Sequence, residues 1–95
     1  MSAYLIAQVR IHDPEAYGDY AERTPAIIAK HGGRILARGG QTEILEGHTV
    51  GQRIVIVEFP SLHCARAFYY SPEYQEIRRI RTQASVAELV LVQGI

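Results

Sequence analysis

Between Tyr4 and Ile11 the chain reads YLIAQVRI, placing Leu5, Ala7, Val9 and Ile11 on one side of an extended segment and Tyr4, Ile6, Gln8 and Arg10 on the other. A period of two predicts a strand with one fully apolar side and one mixed side. The period then lengthens. After Asp13-Pro14-Glu15, the residues Tyr17, Tyr20, Ala21, Thr24, Ile27, Ile28 and His31 recur at helical spacing. Asp suits the N-cap, Pro the first helical position, and Glu the positive helix start. Pro25 lies inside this pattern and predicts a kink, or a restart at about Thr24. Gly32-Gly33 ends the helix, because glycine accepts the left-handed geometry of a C-terminus.

Arg34 to Glu46 reads as a long second strand, interrupted by Gly39-Gly40, with GHTVGQ (47–52) as a hairpin loop. Arg53 to Phe59, RIVIVEF, is the segment most prone to extended structure. Pro60-Ser61 stops it, and Ser61 caps a second helix with Leu62, Ala65, Phe68 and Tyr69 on one stripe. Ser71-Pro72-Glu73 repeats the cap signature, and Tyr74, Ile77, Ile80 and Ala84 continue an apolar face. Glu88 to Gln93 closes the chain as a fourth strand.

The order βαββαβ, with right-handed crossovers, places the third strand between the first and second and the fourth on the far side of the first. The predicted fold is α+β, a ferredoxin-like antiparallel sheet in a single domain spanning residues 1–95. Its two helical regions cover one face of the sheet. The other face should alternate apolar with polar, yet it is assigned Ile6, Leu36, Ile54, Ile56, Leu89 and Leu91. Four strands of about six residues present roughly 400 Å² in projection, a large apolar area for a monomer. A homodimer pairing sheet to sheet is therefore expected. Within that frame the glycine pair has three readings: a bulge that sets register and bends the strand, space for a ligand beside Arg38, or a plain loop.

Composition narrows the function. Ten Lys and Arg balance ten Asp and Glu, so no net field draws nucleic acid or an anionic membrane. One cysteine, Cys64, precludes an intrachain disulfide and fits a reducing compartment. The start, MSAYLIAQVRIHD, lacks the features of a signal peptide, and no apolar run nears the ~20 residues of a membrane span. A soluble, cytoplasmic protein is the expectation. No phosphate loop or GxGxxG occurs. His12, His31, His48 and His63 are scattered without metal-ligand spacing, so neither metal nor cofactor is called for. Cys64 reads as a small buried thiol, and Arg78, Arg79 and Arg81 as a solvated cluster late in a helix.

The candidate chemistry lies among polar residues on the mixed sheet face. Arg38 offers a planar fork for a carboxylate. Glu58 would serve as a general base if burial raised its pKa. Gln8 shares that face. The structural alternative is an Arg38–Glu58 ion pair, or pairs across a dimer. Tyr17, Tyr20, Tyr69 and Tyr74 read as core rings, with Tyr17 or Tyr69 also able to shape a pocket mouth.

LARGG, LEG, VEFPS and AFYYSPEYQ, in order along the chain, together with DPEAYGDY and HGGR before them, span nearly the whole sequence and resemble the uncharacterised-domain family 1330, a domain of unknown function. The resemblance implies the dimeric α/β-barrel superfamily, in which two ferredoxin-like subunits pack sheet to sheet and enclose a pocket. Relatives there include small monooxygenases, haem-handling enzymes and isomerases. Three functions follow as expectations. The first is an enzyme on a small, partly apolar molecule or carboxylate, of the cofactor-free oxygenase or isomerase type. Arg38 and Glu58 would be its catalytic groups, with Gln8, Tyr17, Arg38, Gly39, Gly40 and Tyr69 around the ligand. The second is a non-catalytic binder or sensor using the same residues, and the third a structural dimer without a pocket.

Overall fold

The computed structural model describes all 95 residues. Its elements are β1 (Ala3–Ile11), α1 (Pro14–Lys30), β2 (Arg34–Arg38), β3 (Arg53–Phe59), α2 (Leu62–Tyr69), α3 (Pro72–Ala84) and β4 (Ser85–Gln93). The strands form one antiparallel sheet in the order β2-β3-β1-β4, and the helices cover one side of it. This is the ferredoxin-like arrangement that the element order predicts.

Local chemistry sets most boundaries. The Asp13 carboxylate accepts from the Ala16 amide at 3.2 Å at the start of α1. Ser61 and Ser71 cap α2 and α3 by accepting from the Cys64 and Tyr74 amides, each at 3.1 Å. Gly32 leaves α1 with a φ of 78°. The apolar side of β1 (Ala3, Leu5, Ala7, Val9) is buried against the helices with Val57 and Phe59. Phe68 joins them to α3, its ring 5.3 Å from Phe59 and 4.6 Å from Tyr74.

Four boundaries differ from the sequence reading. Of the two outcomes expected at Pro25, a kink or a restart, the restart does not occur: α1 runs unbroken for 17 residues. Tyr17, Tyr20 and Ile28 are buried on both sides of the proline, and this packing outweighs the missing amide. The second strand ends at Arg38 instead of reaching Glu46, because Gly39 turns out of the pleat at φ 67° and residues 39–52 form an irregular connection. The bulge lies earlier than the glycine pair. Ile35 faces Val57 and Ala37 faces Ile56, so Leu36 is the extra residue. Finally, β4 starts at Ser85, three positions before Glu88, since Ser85 already pairs with Ile11.

Register also corrects the uncovered face. Leu89 and Leu91 stand opposite Ala7 and Leu5 and point to the helices. Val90 and Val92 stand opposite Ile6 and Tyr4 and point away from them, about half exposed. The open face remains apolar, with valines in place of the leucines. No helix is long and apolar enough to cross a membrane.

Candidate functional site

A cavity of about 50 Å³ lies between the sheet and α1, closed by α3. It is not on the open face. Its apolar wall includes Leu5, Val9, Val57 and Leu89 from the sheet and Ile28 and Phe68 from the helices. Its polar groups are Arg38, Arg53, Arg81, Tyr17, Tyr20 and Tyr74, with Thr24 beside them. No carboxylate, histidine or cysteine lines it.

The bulge explains how Arg38 arrives there. Alternation without a bulge would put Arg38 on the open face with Arg34. The extra residue at Leu36 shifts the phase by one, so Arg38 stands opposite Val55 and turns toward the helices. Its placement on the same face as Glu58 is therefore corrected, and the structural alternative of an Arg38–Glu58 ion pair is not formed. Glu58 is instead held by Arg34, whose Nη2 donates at 2.7 Å, and by the Tyr4 hydroxyl at 3.2 Å. The Arg34 hydrogen bond does most to hold this carboxyl below its ordinary pKa, against a smaller opposing effect of desolvation. The condition set for Glu58 as a base, a raised pKa, is not met.

Gly39 serves a neighbouring arginine. Its amide donates to the Ile54 carbonyl at 2.9 Å, and a side chain there would collide with the Arg53 guanidinium. Arg53 lies over the Tyr17 ring, 5.3 Å from its centroid. Gly40 meets nothing that a methyl group would disturb. Gln8 stays on the open face between Ile54 and Glu88. Tyr69 is partly buried outside the cavity lining, its ring 5.5 Å from that of Tyr74. Of the residues named from the sequence as catalytic or ligand-binding candidates, only Tyr17 and Arg38 line the cavity, while Tyr20 and Tyr74, expected as core rings, and Arg81, expected in solvent, line it as well.

At the buried end, Tyr20 and Tyr74 bring their hydroxyls to 2.7 Å. Burial, reinforced by Tyr74, pushes the Tyr20 phenol well above its ordinary value, so it remains a neutral O–H. Arg81 lies beside them at 6% exposure, and its Nε has no hydrogen-bond partner. Burial alone would pull its pKa down, but the Tyr74 and Tyr20 oxygens more than offset this, and the guanidinium keeps its proton. Arg81 is not part of a solvated cluster. Tyr74, Ile77, Arg81 and Ala84 fall three and four residues apart and are the buried stripe of α3. That spacing was legible: Arg81 lies two turns after Tyr74. Arg53 likewise shares the period of Val55, Val57 and Phe59.

These groups can stabilise negative charge on oxygen in an apolar setting. They offer no ordinary base to remove a proton. No group of three or more His, Cys, Asp or Glu side chains converges into a metal-ligand set.

Structures of similar fold span nearly the entire chain. A protein of unknown function from Rhodopseudomonas palustris is 22% identical, with a TM-score of 0.77 over 99% of this chain and 82% of that one. SnoaB, a cofactor-independent oxygenase from Streptomyces nogalater, is 14% identical with a TM-score of 0.71, covering 99% and 93% of the two chains. A dimeric protein of unknown function and ferredoxin-like fold from Bacteroides fragilis is 15% identical, with a TM-score of 0.63 over 98% and 96%. At these identities the likeness shows the fold alone. No match was found among curated proteins. The family is shown by sequence: the model of the domain of unknown function DUF1330 matches residues 2–95, and the chain belongs to that family.

Proposed function

We propose that this protein is a cofactor-free catalyst of the oxygenase or isomerase type, holding a small, partly apolar molecule in the cavity between the sheet and α1. The observation that carries this reading is a mostly apolar cavity whose polar lining consists of arginines and hydroxyl groups without an acid. Such a lining favours the enolate or phenolate form of a bound molecule, an intermediate that both reaction types share. Arg38 and Tyr17 would contact the ligand near the strand ends, where β2 finishes and β3 begins. Glu58, on the far side of the sheet and paired with Arg34, has no part in the reaction. The fold shared with a cofactor-independent oxygenase is compatible support at the level of architecture. We assign the working unit as a homodimer joined through the open sheet face.

The absence of a carboxylate or histidine from the lining favours a second reading, a binder or sensor that performs no chemistry. Solvent-deuterium exchange separates the two. Small enolisable ketones are incubated with the protein in deuterated water, and loss of the α-proton signal is followed by NMR. Forming the enolate releases that proton to solvent and moves its electron pair onto oxygen. Accelerated exchange, reduced in Arg38→Ala, supports the catalyst. Binding without exchange supports the sensor. Ketones that neither bind nor exchange sink both readings.

A further inference from the structure

Buried donors in the cavity outnumber their acceptors. Tyr20 and Tyr74 carry two hydroxyl hydrogens between them, and their mutual bond uses one. The other has no acceptor in the protein. The Arg81 Nε is buried beside them, also without a partner, and so is the Arg53 Nε nearer the strand ends. Burying a guanidinium among apolar side chains is costly unless a negative group meets it. Here no acidic side chain lines the space.

The geometry points to a specific subsite: Arg81, with the free hydroxyl of the Tyr20–Tyr74 pair, binds the carboxylate of a small organic acid. This rests on reading the cavity as a small-molecule site, and it names the ligand's charge and its anchor. The ligand is a monoanion, because Arg81 is the most buried arginine of the lining, while Arg38 is exposed and Arg53 is engaged with Tyr17. A carboxylate takes two donors at once, one from each side. The rest of the ligand is short and apolar, since the walls are Leu5, Val9, Val57 and Leu89 and the space is about 50 Å³.

Acetate and acetamide have nearly the same shape, are small enough for a space of about 50 Å³, and differ in charge. Each is titrated into the full chain while NMR follows the Arg81 Nε–H and the rings of Tyr20 and Tyr74. The expected result is a displaced Arg81 Nε–H signal with acetate and a Kd at least about tenfold below that of the amide, the factor that one charge-assisted hydrogen bond supplies. Arg81→Gln should remove that preference, and Arg81→Lys should keep part of it. Equal affinity for acid and amide in the wild-type protein overturns the anion subsite and leaves the small-molecule reading standing. So does a preference for the acid that survives Arg81→Gln. If neither compound binds, both readings fall. The wild-type comparison decides the matter even if a variant does not fold.

Discussion

Two adjacent glycines show how far apart neighbouring residues can be in consequence. Gly39 has a left-handed φ of 67°, and the space above it is filled by the Arg53 guanidinium. Gly39→Ala should cost ~1–2 kcal/mol from the backbone alone, with a further loss as Arg53 leaves the Tyr17 ring. Gly40 has neither a positive φ nor a close neighbour, so Gly40→Ala should stay within about 0.5 kcal/mol of wild type. Urea unfolding of the two variants tests the contrast, and equal losses would refute it. Glu58 offers a second test, through pH. Its carboxyl is held below the ordinary 4.5 by Arg34, so its contribution is present above the unfolded value and disappears as pH falls through the folded one. Arg34 is 74% exposed, so solvent screens the pair and the contribution is modest. Glu58→Gln should lower the thermal midpoint slightly at neutral pH and match wild type by about pH 2. A gap that persists in acid would mean packing, not charge, is responsible.

At the scale of elements, the junction between α2 and α3 hangs on one serine. Ser71 Oγ accepts from the Tyr74 amide at 3.1 Å and donates to the Phe68 carbonyl at 2.7 Å. It therefore starts one helix and closes off the other, at a buried position. Ser71→Ala should destabilise the fold by ~1–2 kcal/mol, the upper range for a cap, because the cap is buried and the Phe68 carbonyl also loses the shorter of its two bonds from Ser71, keeping only the amide at 3.2 Å. Chemical denaturation would detect this, and a change below about 0.5 kcal/mol would show that another group takes over the cap. The caps at Asp13, Ser61 and Ser71 were all legible because capping needs only a short polar side chain within three residues of its target amide. The end of β2 was not. Its extra residue, Leu36, looks like any apolar strand residue, and only pairing with β3 reveals that Ala37, not Leu36, meets Ile56.

For the whole molecule, the open sheet face has the larger consequence. Ile6, Ile54, Ile56, Val90 and Val92 lie on it, with Val90 57% exposed. Water contact with so many apolar side chains is unfavourable, and a second sheet would remove it. The protein should run as a dimer in size-exclusion chromatography with light scattering at micromolar concentration. Val90→Glu should produce a folded monomer, since the side chain points away from the core and its charge would be buried only in the dimer. A wild-type monomer under these conditions would overturn the pairing through this face.

The element order, the helix caps, the buried side of β1 and the apolar character of the open face were determined by the sequence alone. Each rests on contacts within a few residues or on a simple period of two or of three to four. Tertiary structure decided the rest. A one-residue bulge carried Arg38 from one face of the sheet to the other, and packing kept α1 whole through Pro25. Arg81 could be placed on the buried stripe of α3 by counting from Tyr74, but its meaning could not. That depended on Tyr20, sixty-one positions earlier, bringing a hydroxyl to Tyr74 and leaving the guanidinium in a cavity without an acid. Spacing along a chain records which residues share a face. Which faces meet, and which charges are left without a partner, is settled only when distant segments pack.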